Sequence, residues 1–308
     1  MNAAIVHSFD APPRFGAFKE PIAEGKEQIV HVTAAGLHRI VKALANGSHY
    51  GSTTKPPFIP GLDGVGRLAD GSRVYFGGVR SPYGPFAERA AASVTFPLPD
   101  GIDDATAAGI ANPGMSSWAA LKLRARIAAG ESVLVLGATG VSGRLAVQIA
   151  KRLGAKRVVA AGRNIHRLKE LDADAVIPLH QEHDALVAAF RQEPCDIVVD
   201  YLWGTPAEAL IEAISKKGLQ HASGRVRYLQ VGSTAGATIT LPADALRSSG
   251  LEILGSGFGS VSMTLIFQLI VEFLAEAAAR PFHFQVKAVP LCDVESAWSS
   301  DERVVFQP

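Results

Sequence analysis

One stretch limits what this chain can fold into more than any other: "VLVLGATGVSGRLAVQIAKRLGA", from Val133 to Ala155. Its start, "SVLVLG", is a near-continuous apolar run, as expected of a strand buried on both faces. Next come closely spaced glycines, and then Leu145, Ile149 and Leu153 recur four residues apart, with Ala146 and Ala150 widening the stripe. That periodicity predicts an amphipathic helix. A strand, a tight glycine turn and a helix form the phosphate-binding unit of dinucleotide-binding folds. Gly140 and Gly143 take the second and third positions of the fingerprint, and Ala138 the first. The turn Ala138, Thr139, Gly140, Val141, Ser142 and Gly143 is therefore expected to face a pyrophosphate, helped by the positive end of the helix dipole.

The pattern continues in both directions. After the turn come "RVVAAG" (157–162), a helix over 165–171, "AVIPL" (175–179) and "CDIVVDYL" (195–202). A helix over 206–214, "VRYLQVGS" (226–233) and "LEILGSG" (251–257) follow. Six strands with helical crossovers predict a doubly wound parallel sheet, an α/β Rossmann domain. The first third has another texture: "EQIVHVTAAG" and "GSRVYFGG" read as short strands, and the prolines and glycines of "KPPFIPGLDGVG" read as a loop. The tail is β-like again and is expected to return to the first domain. The expected division is 1–114, 115–264 and 265–308.

The second strand chooses between coenzymes. An acidic residue about twenty positions after the turn would hold the ribose 2′-hydroxyl of NAD. Arg163 stands there instead, with Asn164 beside it and Arg167 one turn later. A guanidinium binds a 2′-phosphate where a carboxylate would repel it, which predicts NADPH.

Composition excludes several classes. Lys plus Arg is 30 against 29 for Asp plus Glu, with no basic cluster, so no nucleic-acid partner is expected. Cys195 and Cys292 are the only cysteines, read as small buried hydrophobes in a reducing, cytoplasmic setting. The first ten residues lack a basic segment followed by an apolar one, so no secretory signal is expected. The apolar stretch 263–279 carries Gln268, Glu272 and Glu276 four apart, which predicts a surface helix rather than a membrane span. G-x-S-x-G, H-E-x-x-H and G-K-[ST] are all absent. "HQEH" (180–183) reads as a polar loop after the third strand.

"VTAAGLHRIVKALANGSHY", "IPGLDGVGRLADGSRVYF", "GPFAERAAAS", "NPGMSSWAAL", the glycine turn, "LRSSGLEILGSG" and the closing "RVVFQP" together resemble the medium-chain dehydrogenase/reductase superfamily, in its zinc-free, quinone oxidoreductase-like branch. The resemblance covers nearly the whole chain. It implies a GroES-like, mostly β catalytic domain made from both chain ends, with the Rossmann domain inserted. Where zinc-dependent relatives hold a catalytic metal, this chain has His38, Leu62 and Asn112, with Asp63 adjacent. Leucine cannot ligate a metal, and one imidazole with an amide is a poor zinc site, so no metal is expected. Ala43 falls near the place of the family's proton-relay histidine.

The resemblance thus implies an NADPH-dependent reductase of quinones or α,β-unsaturated carbonyls, whose hydride acceptor is activated by conjugation rather than by a Lewis acid. Tyr50, His38 and Asn112 are the implied catalytic donors, with His49 read as a loop residue. Ser116 lies in the segment that meets the nicotinamide, and Gly232, Ser233, Gly255 and Ser256 at the ends of the fifth and sixth strands are implied cofactor contacts. A homodimer along an outer Rossmann strand fits the same resemblance. A non-catalytic, crystallin-like NADPH-binding protein and a reductase of another activated carbonyl or enoyl substrate remain open.

Overall fold

The computed structural model describes residues 1–49, 51–215, 224–257 and 259–308. They form two compact units: Met1–Asn112 with Ile270–Pro308, and Pro113–Leu269.

The first unit is mostly β. Its early strands are β1 (Asn2–Ile5), β2 (Arg14–Ala17), β3 (Gln28–Gly36), β4 (Asp63–Arg67), β5 (Arg73–Val79) and β6 (Arg89–Pro97). The second unit carries β7 (Ser132–Leu136), β8 (Arg157–Gly162), β9 (Ala175–Pro178), β10 (Ile197–Asp200), β11 (Arg225–Gln230) and β12 (Gly250–Gly255). The chain then closes with β13 (Lys287–Pro290) and β14 (Val304–Gln307). In the first unit the sheet order is β13-β14-β3-β4-β5-β6, and β6 also pairs with β3. The tail therefore supplies two strands, β14 running antiparallel to β3. Val30, Val32, Phe76, Phe86 and Phe306 fill the core against this sheet.

The loop expected over "KPPFIPGLDGVG" is only partly a loop, because its last residues enter β4. The glycines there serve close packing rather than chain reversal. A Cβ on Gly66 would stand 2.3 Å from the His31 carbonyl oxygen, and one on Gly64 2.9 Å from the Phe76 ring. Glycine lets neighbouring backbone and a buried aromatic approach where any side chain would collide.

In the second unit the six strands are all parallel, in the order β12-β11-β10-β7-β8-β9. This is the doubly wound arrangement, and the order reverses between β7 and β10. Every residue of β7 and β10 is buried, the apolar ones as a strand covered on both faces requires, and Asp200 with its carboxylate bonded to the Tyr228 hydroxyl and the Leu202 amide. The helix Val141–Arg152 lays Leu145, Ala146, Ile149 and Ala150 inward. Its stripe and the sheet contribute the largest favourable term, roughly 25 cal/mol for each Å² of apolar surface removed from water.

Candidate functional site

The turn after β7 departs from the expected register by one residue. Gly137, not Ala138, makes the tight turn, with φ at +85° in the region that favours glycine. The amides of Gly137 and Ala138 both donate to the Ala161 carbonyl at 2.9 Å. Ala138 is buried, and its N–H is already committed to β8 rather than to a ligand. The operative spacing is Gly137, Gly140, Gly143. Gly137 was legible as the strand's last residue but was not assigned the turn.

Each later glycine has a different task. Gly140 is the N-cap of Val141–Arg152, and a Cβ there would meet only the Gly137 carbonyl oxygen, at 3.4 Å. A Cβ on Gly143 would sit 2.2 Å from that same oxygen and 2.7 Å from Ala138 Cα. Gly143 thus lets helix and strand touch, while the space beside Gly140 is open. Val141, Ser142 and Gly143 form the first helical turn, whose N–H groups have no earlier helical carbonyl to bond. Thr139 packs its side chain over Gly162 at the end of β8.

Thr139, Arg163, Asn164 and Arg167 line a cavity of about 430 Å³ together with His180. Asn164 Oδ1 accepts from the Arg167 amide at 3.1 Å and caps the short helix Ile165–Lys169. That cap fixes the spacing of the two arginines. Both are exposed, and among the described residues no acidic side chain lines the cavity. Sequence reasoning placed four of these five residues and set His180 aside as loop. The missing signal was spatial: β9 is the next strand beyond β8, so the loop after it reaches the same end of the sheet.

The ends of β11 and β12 lie on that end of the sheet as well. The Gly232 amide donates to the Asp200 carbonyl at 3.0 Å, and a Cβ on Gly232 would crowd the Tyr201 carbonyl oxygen at 2.9 Å. Ser233 is exposed. Gly255 accepts from Arg124 Nε at 2.9 Å, and the Ser256 amide donates to Gln230 at 2.9 Å. Ser116 Oγ donates to the Pro113 carbonyl at 2.6 Å and lies 3.0 Å from the hydroxyl of Tyr201, a residue the sequence reading overlooked. Burial pushes the Tyr201 phenol up to about 12, against the opposing pull of Ser116 and Ser117. It stays protonated near neutrality and can donate a hydrogen bond.

The first unit holds a separate buried polar cluster. His38 Nε2 lies 2.9 Å from Asp63 Oδ1, Tyr75 OH donates to Asp63 Oδ2 at 2.6 Å, and Asn112 Nδ2 reaches Asp63 Oδ1 at 3.4 Å. Arg303, from the tail, donates from Nε to Gly109 O at 2.7 Å and from Nη1 to Leu37 O at 2.7 Å. Its Nη2 lies 2.6 Å from His38 Nδ1. A guanidinium has no acceptor atom, so Nδ1 must accept and Nε2 must carry the proton to Asp63. His38 is therefore a neutral imidazole with both nitrogens engaged. Burial is the largest influence and lowers its basicity; Asp63 pulls the other way, and Arg303 adds a smaller push against a second proton. Burial alone would raise the Asp63 carboxyl, but His38, Tyr75 and Arg303 together hold it below the usual range. Desolvation brings even Arg303 down to about 10.

Of the implied catalytic residues, His38 and Asn112 thus meet at Asp63, while Tyr50 lies outside the described residues. Leu62 offers no ligand atom, and among the described residues no three His, Cys, Asp or Glu side chains come together to hold a metal ion. Arg303 and Tyr75 were missed, since nothing in a tail arginine announces a partner more than 260 residues earlier. The two cysteines also divide. Cys195 is partly covered by the second core, its thiol pushed up to about 12 by burial, whereas Cys292 is exposed, contrary to expectation.

No family model matches the chain. Individual proteins do. Over 100% of both chains it is 27% identical to the probable NADPH-dependent quinone reductase tdiC of Emericella nidulans. Over 53% of each chain it is 33% identical to the quinone oxidoreductase of Rattus norvegicus. Its fold superposes on the quinone oxidoreductase of Thermus thermophilus, also solved in complex with NADPH, with a TM-score of 0.80 and 26% identity over all of both chains. Over its whole length the chain is thus similar to proteins named NADPH-dependent quinone reductase and quinone oxidoreductase.

The two units have the expected folds, a mostly β unit of GroES-like type and a parallel Rossmann sheet. The residues fit a dinucleotide on the molecule's own terms. The glycine cradle is open at Gly140, and two arginines face a cavity that no described carboxylate lines. Among the described residues no helix is long and apolar enough to cross a membrane.

Proposed function

We propose that this chain is an NADPH-dependent oxidoreductase that transfers hydride to a quinone or an α,β-unsaturated carbonyl without a metal ion. The observation that carries the reading is the cavity at the end of β8, where Arg163 and Arg167 stand in place of the acidic residue that an NAD enzyme would use. Bound there, reduced nicotinamide dinucleotide supplies the hydride. The chain's own work is to hold and to polarise. Arg163 and Arg167 would bind the 2′-phosphate, with Asn164 capping the short helix that carries Arg167, and the Gly140 turn with the first amides of the following helix would receive the pyrophosphate.

The acceptor oxygen of such a substrate would gain negative charge on reduction, and a positioned donor would meet it. Tyr50 and Asn112 are the proposed donors. His38, with both ring nitrogens engaged, serves instead by holding Asp63, which in turn holds the Asn112 amide. A conjugated acceptor suits this chemistry, since no Lewis acid is needed to activate it. The outer edge of β12, last in the sheet order, offers a surface for a homodimer, and the sparse cysteines favour a reducing, cytoplasmic setting.

The test measures Kd for NADPH and NADH on purified protein, then the loss of NADPH absorbance against a panel of quinones and enones. Tighter NADPH binding with turnover on either class supports the reading. Preference for NADH refutes it. Tight NADPH binding without turnover on any electrophile would point instead to the non-catalytic alternative.

A further inference from the structure

His180 lines the arginine cavity but has no part in the coenzyme contacts proposed for it. It projects from the loop that follows β9, while Arg163 and Arg167 come from the segment after β8 and Thr139 from the turn after β7. Three successive strands of the sheet therefore each deliver a hydrogen-bonding side chain to one cavity. The charged residues lining it are Arg163 and Arg167, both cations. On the loop of His180 itself, Glu182 and His183 follow, and His183 is held 2.9 Å from Glu212. Among the described residues no carboxylate of the cavity wall competes for the imidazole.

We infer that His180 is a proton-coupled selectivity residue, which takes up a proton when a 2′-phosphate enters the cavity and so makes the preference for NADPH depend on pH. The inference rests on the NADPH reading and adds a residue and a behaviour to it. Histidine is the side chain whose ordinary titration falls between pH 5 and 8. A phosphate monoester brings close to two negative charges at neutral pH. These largely cancel the two guanidinium charges, and the phosphate oxygens accept from an imidazolium, so the protonated form gains on binding.

Binding and protonation are then linked, and each must strengthen the other. Between pH 8 and about 6.5, NADPH affinity rises as pH falls. Below about pH 6 the phosphate itself takes a proton and the gain is lost. NADH has no 2′-phosphate and shows neither limb. Discrimination between the two coenzymes is consequently greatest near neutrality, with a maximum that Arg163 and Arg167 alone would not produce.

The experiment is titration calorimetry of the intact protein with NADPH and with NADH, at one pH near 7.5 in two buffers of different ionisation enthalpy. The variant His180→Gln is measured alongside. His180 is exposed, so this replacement leaves the core untouched. The expected result is uptake of a fraction of a proton with NADPH and none with NADH. In H180Q the uptake disappears, and NADPH affinity falls about 3- to 10-fold, the scale of one charge-assisted contact, while NADH affinity holds. Equal proton counts for the two coenzymes in the wild type, or uptake that persists in H180Q, would overturn the role of His180 and leave the NADPH reading intact. Failure to bind NADPH at all would overturn both.

Discussion

Arg303 Nη2 lies 2.6 Å from His38 Nδ1, and both side chains are buried. The contact ties the last strand of the chain to the loop that follows β3, and it settles the state of the imidazole. Because Arg303 also donates to two backbone carbonyls, its removal would strand three acceptors in the interior. Arg303→Met should therefore cost about 3 kcal/mol of unfolding free energy or more, at about 1–3 kcal/mol for each buried acceptor left without a donor. Arg303→Lys should recover part of this, since an ammonium can reach only some of the same acceptors. Urea melts of the two variants check the order. Equal stability of R303M and wild type would remove the cluster's structural role.

The same cluster predicts an acid-sensitive fold. His38 is less basic folded than unfolded, so the unfolded chain binds its proton first as pH drops below the ordinary histidine value of about 6.5. The stability it contributes is present above that value and is lost on acidification. Asp63, depressed in the folded state, contributes stability that is present above about pH 3.9 and is lost as pH falls through its folded value. Unfolding free energy should thus decline from pH 7 to pH 5, and His38→Gln should flatten that limb. A pH-independent wild-type stability across this window would contradict the neutral, doubly bonded imidazole.

Arg163 carries the coenzyme choice. Arg163→Asp should weaken NADPH binding by at least about tenfold, because a bidentate cation becomes a like-charged neighbour of the 2′-phosphate. NADH should then bind as well as or better than NADPH. Binding titrations decide it, and unchanged NADPH affinity would remove the assignment.

The two helix-side glycines should separate folding from binding. Gly143→Ala drives a Cβ to 2.2 Å from the Gly137 carbonyl oxygen and should destabilise by about 1–3 kcal/mol through overpacking. Gly140→Ala meets no contact shorter than 3.4 Å and has an ordinary φ of −77°, so its melting temperature should hold. Its nucleotide affinity should nevertheless fall, since the new methyl stands where the pyrophosphate approaches. A Gly140→Ala protein that binds nucleotide normally would place the phosphates elsewhere.

The sequence by itself determined the Rossmann unit. The apolar runs of β7, β8 and β10 match the structure within a residue or two, because strands buried on both faces must be apolar throughout. The helix stripe of Leu145 and Ile149 and the arginine at the end of β8 were equally legible, since their meaning depends on near neighbours in the chain. Other features were decided only by tertiary structure. Gly137 rather than Ala138 makes the turn, as the positive φ shows only once β7 and β8 are paired. Gly64 and Gly66 read as loop residues but lie in β4, where a neighbouring strand and a buried ring set the need for no side chain. His180 joins the arginines, and Arg303 joins His38, through strand order and the return of the tail. Local spacing records what a residue does to its own segment, whereas hydrogen bonding and charge act through space between segments that only the folded chain brings together.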